Sequence, residues 1–301
     1  MTTPARSVER IAPRRQGNWD WRAAGNFIAG GAGGGLLANA TVLAVWLGLD
    51  ERLPLAAGLV MIGIGLTCVW FEIGRPWRAL NVFRHFGSSW MTREAYVALF
   101  AMCVGVVAIV YGTLPAVTAT GLLGLMFIYA QGRILAANKG IPAWRHPNCL
   151  SLVLATGLAE GAGLLALLAW GASWWRYPAA LLLLFCLWRL WAWRRYFAAL
   201  RSDGAPSGTI KAFGDMATMF IWAGNAVPAA LVFAAVLMAV PLLVALAGIL
   251  ALAGGWWMKY TLVCRAAFTQ GFALPKQPVR GKGQAGPAVK PGWQWSTWLT
   301  R

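Results

Sequence analysis

The sequence predicts an all-α protein, a polytopic integral membrane protein built as a bundle of eight transmembrane helices with both termini in the cytoplasm. Three observations predict this class: 59% of the 301 residues are apolar, only 12% are charged, and the apolar residues fall in long runs. Soluble domains carry about 25% charged residues. Since one helical crossing takes ~20 apolar residues, eight crossings use roughly 160 positions. The remaining length leaves no room for a separate soluble catalytic domain.

Turn residues divide the apolar runs into eight predicted spans. Residues 112–115 separate the third span from the fourth, and Pro241 separates the seventh from the eighth. In the first run, residues 30–35 carry glycines four positions apart, which let helix backbones approach closely in lipid. Asn26 and Asn39 flank these glycines, and we expect them to bond across helices. The predicted spans are 23–48, 54–73, 95–111, 115–132, 149–170, 174–193, 217–239 and 242–262.

The basic residues predict the orientation of the bundle. Of the 26 Lys and Arg residues, 24 fall in the N-terminal arm, the even-numbered connections and the tail, and only Arg52 and Arg176 fall elsewhere. This count assigns Arg189 to the sixth connection and Lys259 to the tail, although both positions fall in the last turns of predicted spans. Because cytoplasmic segments carry the excess of positive charge, the net charge of +17 records topology and predicts no nucleic-acid partner. The predicted parts are a basic cytoplasmic arm (1–22), the membrane domain (23–265) and a Pro/Gly/Trp-rich cytoplasmic tail (266–301).

The cysteines and histidines predict no metal centre and no haem in this chain. The five cysteines lie one to a segment without a CxxC pair, so we expect no iron–sulfur cluster and no other metal site, and we interpret all five as buried small apolar residues. His85 and His146 lie in connections rather than in spans. A haem held by two imidazoles from facing helices is therefore not expected.

Glu160 is the one acidic residue at the middle of a predicted span. Burying a charge in a membrane costs several kcal/mol unless the charge is paired or hydrated. One interpretation is an intramembrane proton relay. The other, which we favour from the sequence, is a hydrogen-bonded acid that bridges helices and is reached by Arg189.

The connection after the second span holds the densest group of chemically active residues. Glu72 ends that span, Arg75 and His85 lie in the connection, and Glu94 opens the third span. Carboxylates beside a quinone head group can exchange the protons that quinone chemistry requires. The alternative is a cluster of interfacial ion pairs that fixes the connection, and spacing alone favours this alternative.

The same segment carries a resemblance to a known family. It reads Glu-Ile-Gly-Arg-Pro-x-Arg-Ala-x-Asn from Glu72, followed by Gly-Ser-Ser-Trp at 87–90 and by Glu94. With the segments 129–133, 141–147, 270–275 and 278–281, it resembles the DmsC-type membrane anchors of molybdopterin oxidoreductases, which are related more distantly to NrfD-like quinol-interacting subunits. Residues 19–27 and the tail are most similar to the anchor of phenylacetyl-CoA:acceptor oxidoreductase.

The resemblance implies a multi-pass protein of the bacterial inner membrane that binds exchangeable menaquinone or ubiquinone and holds no haem, iron–sulfur cluster or molybdenum. An iron–sulfur subunit would dock on the cytoplasmic face and exchange electrons with a molybdopterin catalytic subunit. In the family a His and a Glu are implicated in quinol binding: Glu72 occupies the His position, and Glu94 matches the Glu. The chain would contribute a quinone site and no centre for substrate conversion. The substrate stays open between a CoA thioester, sulfite, a sulfoxide or another compound, as does the direction of electron flow.

Two other functions remain open at this point. The chain is alternatively a secondary transporter, with a midplane site around Glu160, Pro228 and the glycine-rich first span. It is alternatively a purely structural anchor without quinone. The tail contains three tryptophans in residues 293–298, and we expect it to lie on a partner or on the membrane.

Overall fold

The computed structural model describes residues 10–73 and 76–273. Eight long helices are present in these two ranges, and they pack side by side. Consecutive helices run in opposite directions, and most of the connections between them are short. The helices are α1 (Trp21–Leu47), α2 (Arg52–Glu72), α3 (Trp90–Tyr111), α4 (Leu114–Ala137), α5 (Pro147–Leu168), α6 (Arg176–Ser202), α7 (Ser207–Met238) and α8 (Pro241–Arg265).

Capping residues account for the helix boundaries. The Asp20 carboxylate accepts a hydrogen bond from the backbone of Arg22 at the start of α1, and the Ser89 hydroxyl does the same for Thr92 at the start of α3. At the other ends, Gly48 and Gly112 adopt positive φ angles of 61° and close α1 and α3. Only glycine takes this left-handed conformation without steric cost.

Seven of these helices are long and apolar enough to cross a membrane. Large apolar side chains on their outer faces, such as Val60, Phe100 and Phe233, are more than half exposed. Contiguous exposed apolar surface of this kind is typical of contact with lipid. The predicted integral membrane class is confirmed; α6, which carries five arginines, is the long helix outside the seven.

One predicted connection is wrong. The sequence suggested a long loop between Arg194 and Asp215, yet α6 continues to Ser202 and α7 begins at Ser207. Charged side chains ended the apolar runs at these points without ending the helices. Arg194, Arg195 and Arg201 therefore lie on the last turns of α6, and Lys211 and Asp215 lie on the first turns of α7.

Glycines set the distance between the central helices, as predicted for residues 30–35. A Cβ atom built at Gly34 would lie 2.7 Å from the carbonyl oxygen of Gly124 on α4, and one built at Gly33 would lie 2.6 Å from that of Gly58 on α2. On α5, Gly157 and Gly161 contact the backbone of Gly35 in the same way. The first span is thus the centre of the bundle, and most of its residues are buried.

Three helices contain a wide, π-helical turn. These turns lie at Asn26–Gly30 in α1, at Trp222–Ala226 in α7 and at Thr261–Arg265 in α8. Such turns redirect side chains and backbone groups and are often found at functional sites. In α7 the cause is local, because Pro228 follows the turn and has no N–H for the carbonyl oxygen of Gly224.

We call one end of the bundle the basic end: it holds residues 10–20, 76–89, 138–146, 203–206 and 266–273. Here the two ends of the described chain meet. Arg10–Ile11 pairs antiparallel with Phe272–Ala273, and Gln16 donates through its side chain to the carbonyl oxygen of Val263. Trp19 stacks on the buried Trp144, with ring centroids 4.8 Å apart.

The cysteines differ from the prediction. Cys149 and Cys186 are buried, whereas Cys68 and Cys264 are half-buried and Cys103 is exposed on the outer face of α3. All five are free thiols. An apolar environment outside the bundle accepts a small thiol as readily as the interior does, which is why the sequence could not separate the two positions.

Candidate functional site

The connection between α2 and α3 is fixed by the first turn of α3. The Thr92 hydroxyl donates to the carbonyl oxygen of Val82 at 2.5 Å, and Tyr96 donates to that of Phe83 at 3.2 Å. The Arg93 guanidinium donates to the carbonyl oxygens of Phe86 and Gly87. The loop is therefore held at the basic end directly beside the helix that carries Glu94.

Glu94 lies below this loop and faces the interior of the bundle. Its side chain is buried, with 6% of its surface exposed. Asn26, the first residue of the π-helical turn of α1, donates from Nδ2 to Glu94 Oε1 at 3.1 Å. Gln131 of α4 lies beside the Glu94 carboxyl group and donates to the Asn26 carbonyl oxygen at 2.8 Å. Three helices thus meet around one carboxyl group.

An aromatic and cationic patch covers the membrane edge beside Glu94. Trp90 lies one helical turn before Glu94, and the guanidinium carbons of Arg93 and Arg133 lie 4.3 and 4.8 Å from its ring centroid. Tyr129 meets Trp90 edge to face at 5.8 Å. Stacked cation and ring systems of this kind offer a flat surface that suits a planar ligand.

The predicted site residues do not form one cluster. Glu72 is half-buried at the end of α2 and interacts electrostatically with Asp20 and Arg22 at the start of α1, rather than with the partners of Glu94. Arg22 also donates to the carbonyl oxygen of Phe71 at 2.7 Å. His85 is exposed at the end of the segment Pro76–Arg84. Arg75 lies outside the described residues.

Glu160 forms a buried ion pair. Lys259 of α8 lies with its Nζ 2.5 Å from Glu160 Oε2, and the two side chains are 1% and 0% exposed. Arg189 of α6 acts electrostatically on both. The sequence predicted that Arg189 reaches Glu160, and the interaction is present, but the hydrogen-bonding partner is Lys259.

Arg189 is fully buried and holds the π-helical turn of α7. Its Nε donates to Asn225 Oδ1 at 2.8 Å, and its terminal nitrogens donate to the carbonyl oxygens of Gly224 and Ala251. The Gly224 carbonyl is the one that Pro228 leaves without its usual helical donor. The guanidinium therefore satisfies a backbone group that the proline has freed.

The placement of two basic residues at the cytoplasmic face is wrong. Arg189 and Lys259 were assigned to the sixth connection and to the tail, and both lie inside the bundle instead. Each sits at the end of an apolar run, where an interfacial and an internal position look alike in sequence. The signal that could have found Lys259 is Glu160 itself, since a cation partner offsets the cost of burying an ionised acid at mid-span.

The basic end contains a second titratable pair outside the spans. His146 is the N-cap of α5, where its Nδ1 accepts a hydrogen bond from the backbone N–H of Asn148 at 3.1 Å. Its Nε2 lies 3.4 Å from Asp203 Oδ2. Burial lowers the pKa of the His146 imidazole from its ordinary value of 6.5, and the nearby Asp203 carboxylate opposes this shift in part.

Comparison with known proteins gives a family match for part of the chain. Residues 55–185, from the first turns of α2 to the middle of α6, match the family model of the DMSO reductase anchor subunit, DmsC. No curated protein matches the chain. The matched range contains Glu72, His85, Glu94 and Glu160, whereas Lys259 lies beyond it. The predicted resemblance to DmsC-type anchors is confirmed over residues 55–185, and the chain is an integral membrane protein.

Proposed function

We propose that the chain is the membrane anchor and quinone-reactive subunit of a molybdopterin oxidoreductase, and that its quinone site lies at the basic end around Glu94. The observation that carries the proposal is the position of this carboxyl group. It is buried, held by Asn26 and Gln131, and lies one turn below the Trp90, Tyr129 and Arg133 patch. A planar head group on the patch would meet a proton-exchanging group at its edge.

Quinone chemistry explains why a carboxyl group is needed there. Interconversion of quinone and quinol moves two electrons and two protons. The electrons would pass to or from an iron–sulfur subunit, and the menaquinone or ubiquinone would exchange with the membrane pool. The protons require a group at the membrane interface that both accepts and donates, and Glu94 supplies one. Glu72 and His85 lie at the basic end, and we assign them to proton exchange with water; Arg75 is assigned to quinone binding from the sequence.

The partner subunits would dock on the basic end. Arg84, Lys139 and Arg145 lie at this end, together with residues 10–20 of the arm and 266–273 of the tail, and Arg93 lies beside it on the first turn of α3. We place this end in the cytoplasm because positive charge is enriched there. We count α6 as the eighth crossing, because α5 ends opposite the basic end and α7 begins at it. Both termini then face the cytoplasm of a bacterial inner membrane.

A cytoplasmic docking face suits a substrate that stays inside the cell. The resemblance of residues 19–27 to the anchor of phenylacetyl-CoA:acceptor oxidoreductase favours a CoA thioester, with sulfite as the second choice. The catalytic molybdopterin subunit would bind the substrate. This chain would then bind only quinone and its partners.

The test is quinone turnover in the purified complex. The variant Glu94→Gln keeps the size of the side chain and removes the proton-exchanging group, so we expect turnover to fall about 100-fold while the subunits remain assembled. Asp215→Asn is the matched control, since Asp215 is an exposed acid on the first turns of α7. Full turnover in Glu94→Gln would refute the site.

A second measurement separates this function from the alternatives. Bound quinone, together with molybdenum, iron and acid-labile sulfide in the purified complex, supports the proposal. A complex without quinone leaves a structural anchor, and a chain without partners leaves a transporter around Glu160. Deletion of the residues after Phe272 is expected to release the soluble subunits, and retention of both subunits would contradict docking on the tail.

A further inference from the structure

We propose that the Lys259–Glu160 pair is an internal proton reservoir for Glu94, connected to it by a buried hydrogen-bonded chain through Asn26 and Gln131. This inference rests on the proposed quinone function and extends it to Lys259, which lies outside the matched family region. It assigns Lys259 and Glu160 as positioning and proton-storing residues that act through Glu94.

The first link joins Glu94 to the centre of the bundle. Asn26 donates to the Glu94 carboxyl group, and Gln131, which lies beside that group, donates to the backbone carbonyl of Asn26. Asn26 Oδ1 and Gln131 Oε1 are buried and have no hydrogen-bond partner among the described residues. Buried polar atoms are nearly always hydrogen-bonded, so these two oxygens point to bound water.

The second link runs past Gly31 of α1. A Cβ atom built at Gly31 would lie 3.0 Å from Gln131 Oε1 and closer still to Lys259 Nζ. The amide and the ammonium group therefore approach the same point on α1, in a space that exists because residue 31 has no side chain. A single water molecule at this point would join them.

The third link is the ion pair itself. Lys259 Nζ contacts Glu160 Oε2, while Glu160 Oε1 is buried and has no hydrogen-bond partner among the described residues. A Cβ atom built at Gly255 would lie 2.5 Å from this oxygen and 3.0 Å from a terminal nitrogen of Arg189. The guanidinium of Arg189 is hydrogen-bonded to Asn225 and to backbone carbonyls. It therefore acts as a fixed positive charge that influences the electrostatic potential at the Lys259–Glu160 pair.

The buried charges along this hydrogen-bonded path sum to zero. Within the described residues, the buried side chains of Glu94 and Glu160 oppose those of Lys259 and Arg189. Moving a proton along the chain keeps this balance, whereas adding or removing one from outside leaves a net charge in the bundle. A guanidinium does not release its proton, so only Lys259 and the two acids are able to exchange.

The hydrogen-bonded path also reaches from the basic end toward the middle of the membrane. Glu94 lies four residues into α3, about 6 Å from its start, and Glu160 lies thirteen residues into α5, about 20 Å from its start. The reservoir is thus deep in the bilayer, where water exchange is slow.

During quinone reduction, two electrons from the iron–sulfur partner and two protons convert quinone to quinol. Lys259 would pass one of these protons along the hydrogen-bonded path to Glu94, and Glu94 would give it to the quinone, while water at the basic end supplies the other proton and reprotonates the pair through the same path; quinol oxidation reverses these transfers.

The test measures quinone turnover and its solvent isotope effect in the purified complex. We expect Lys259→Met to slow turnover at least about tenfold and to raise the isotope effect in D₂O, because proton transfer becomes limiting. Quinone affinity should stay within about twofold of the original, since the head group is bound at the basic end. The double variant Glu160→Gln/Lys259→Met removes both charges. If the single variant does not assemble, the same slower turnover and larger isotope effect are expected in the double variant.

Gln131→Met breaks the middle link without removing a charge and should raise the isotope effect in the same way. Thr156→Val is the control, since the Thr156 hydroxyl is buried on α5 and bonds only to the carbonyl oxygen of Leu152 in its own helix. If the Lys259 variants keep the original rate and isotope effect while Glu94→Gln is impaired, the reservoir is wrong and the quinone site stands. If Glu94→Gln is also unimpaired, the proposed function fails as well.

Discussion

The guanidinium of Arg189 donates to the carbonyl oxygen of Gly224, across the contact between α6 and α7. In a regular helix this carbonyl would accept from the N–H of residue 228, which is a proline in this chain. A cation from a neighbouring helix has taken the place of a backbone donor. The π-helical turn at Trp222–Ala226 and the burial of Arg189 therefore have one common cause.

We expect Arg189→Lys to destabilise the protein by about 3 kcal/mol, since lysine lacks the planar fork that reaches Asn225, Gly224 and Ala251 together. Restoring the backbone donor with Pro228→Ala should reduce this loss. Thermal unfolding of the two single variants and the double variant in detergent gives the coupling energy. Additive effects would mean that Arg189 does not compensate for the proline.

The glycine contacts of α1 lead to a second prediction. Gly35→Ala would place a methyl group against the carbonyl oxygen of Gly157, and backbone atoms cannot move aside as side chains do. We expect a loss of about 1–3 kcal/mol or a failure to fold. Gly63→Ala on α2 is the matched control, because its nearest neighbour is the flexible Met102 side chain at 3.8 Å. Equal melting temperatures for the two variants would contradict the packing.

Most of the fold could be predicted because the membrane imposes it. Apolar runs of about 20 residues, turn residues between them and the distribution of basic residues gave all eight long helices, six of them within a few residues at both ends. The errors lie where charged residues ended a predicted span although the helix itself continues. Arg194 and Arg195 ended the sixth predicted span, although α6 continues to Ser202 with those arginines on its surface.

The candidate site could be predicted only in part. Glu94 and Glu160 stood out because acids are rare in this chain. Their partners Gln131 and Lys259 did not, because only the arrangement of the helices brings residues from α4 and α8 to the same point beside Gly31. The sequence also grouped Glu72 with Glu94, whereas the end of α2 faces Arg22 and the start of α3 faces Asn26.

The ion pair between Lys259 and Glu160 makes a third prediction, on stability. Lys259→Met leaves the Glu160 carboxylate without its hydrogen-bonding cation in the bundle, and we expect a loss of about 3–5 kcal/mol. The double variant Glu160→Gln/Lys259→Met should lose less than the single variant, since no unpaired charge remains. Melting temperatures in detergent compare them. A double variant less stable than Lys259→Met would show that the pair itself, rather than the uncompensated charge, sets the stability.

The fourth prediction concerns pH and His146. Because the folded protein lowers the pKa of this imidazole below 6.5, the unfolded state binds a proton first as the pH falls. Stability from the neutral ring is therefore complete above about pH 6.5 and is lost as the pH falls through the lower pKa of the folded state. Protonation also removes the Nδ1 acceptor that caps α5 at Asn148.

His146→Asn is the informative variant, since asparagine caps a helix well and does not titrate. We expect its melting temperature to change less between pH 7 and pH 5 than that of the unmodified protein, while the two agree closely at pH 8. Differential scanning fluorimetry in detergent over this range is the measurement, and Asp203→Asn tests the opposing charge. Without the carboxylate the folded-state pKa should fall further, so the acid-induced loss should grow; an unchanged profile in both variants would show that other groups control it.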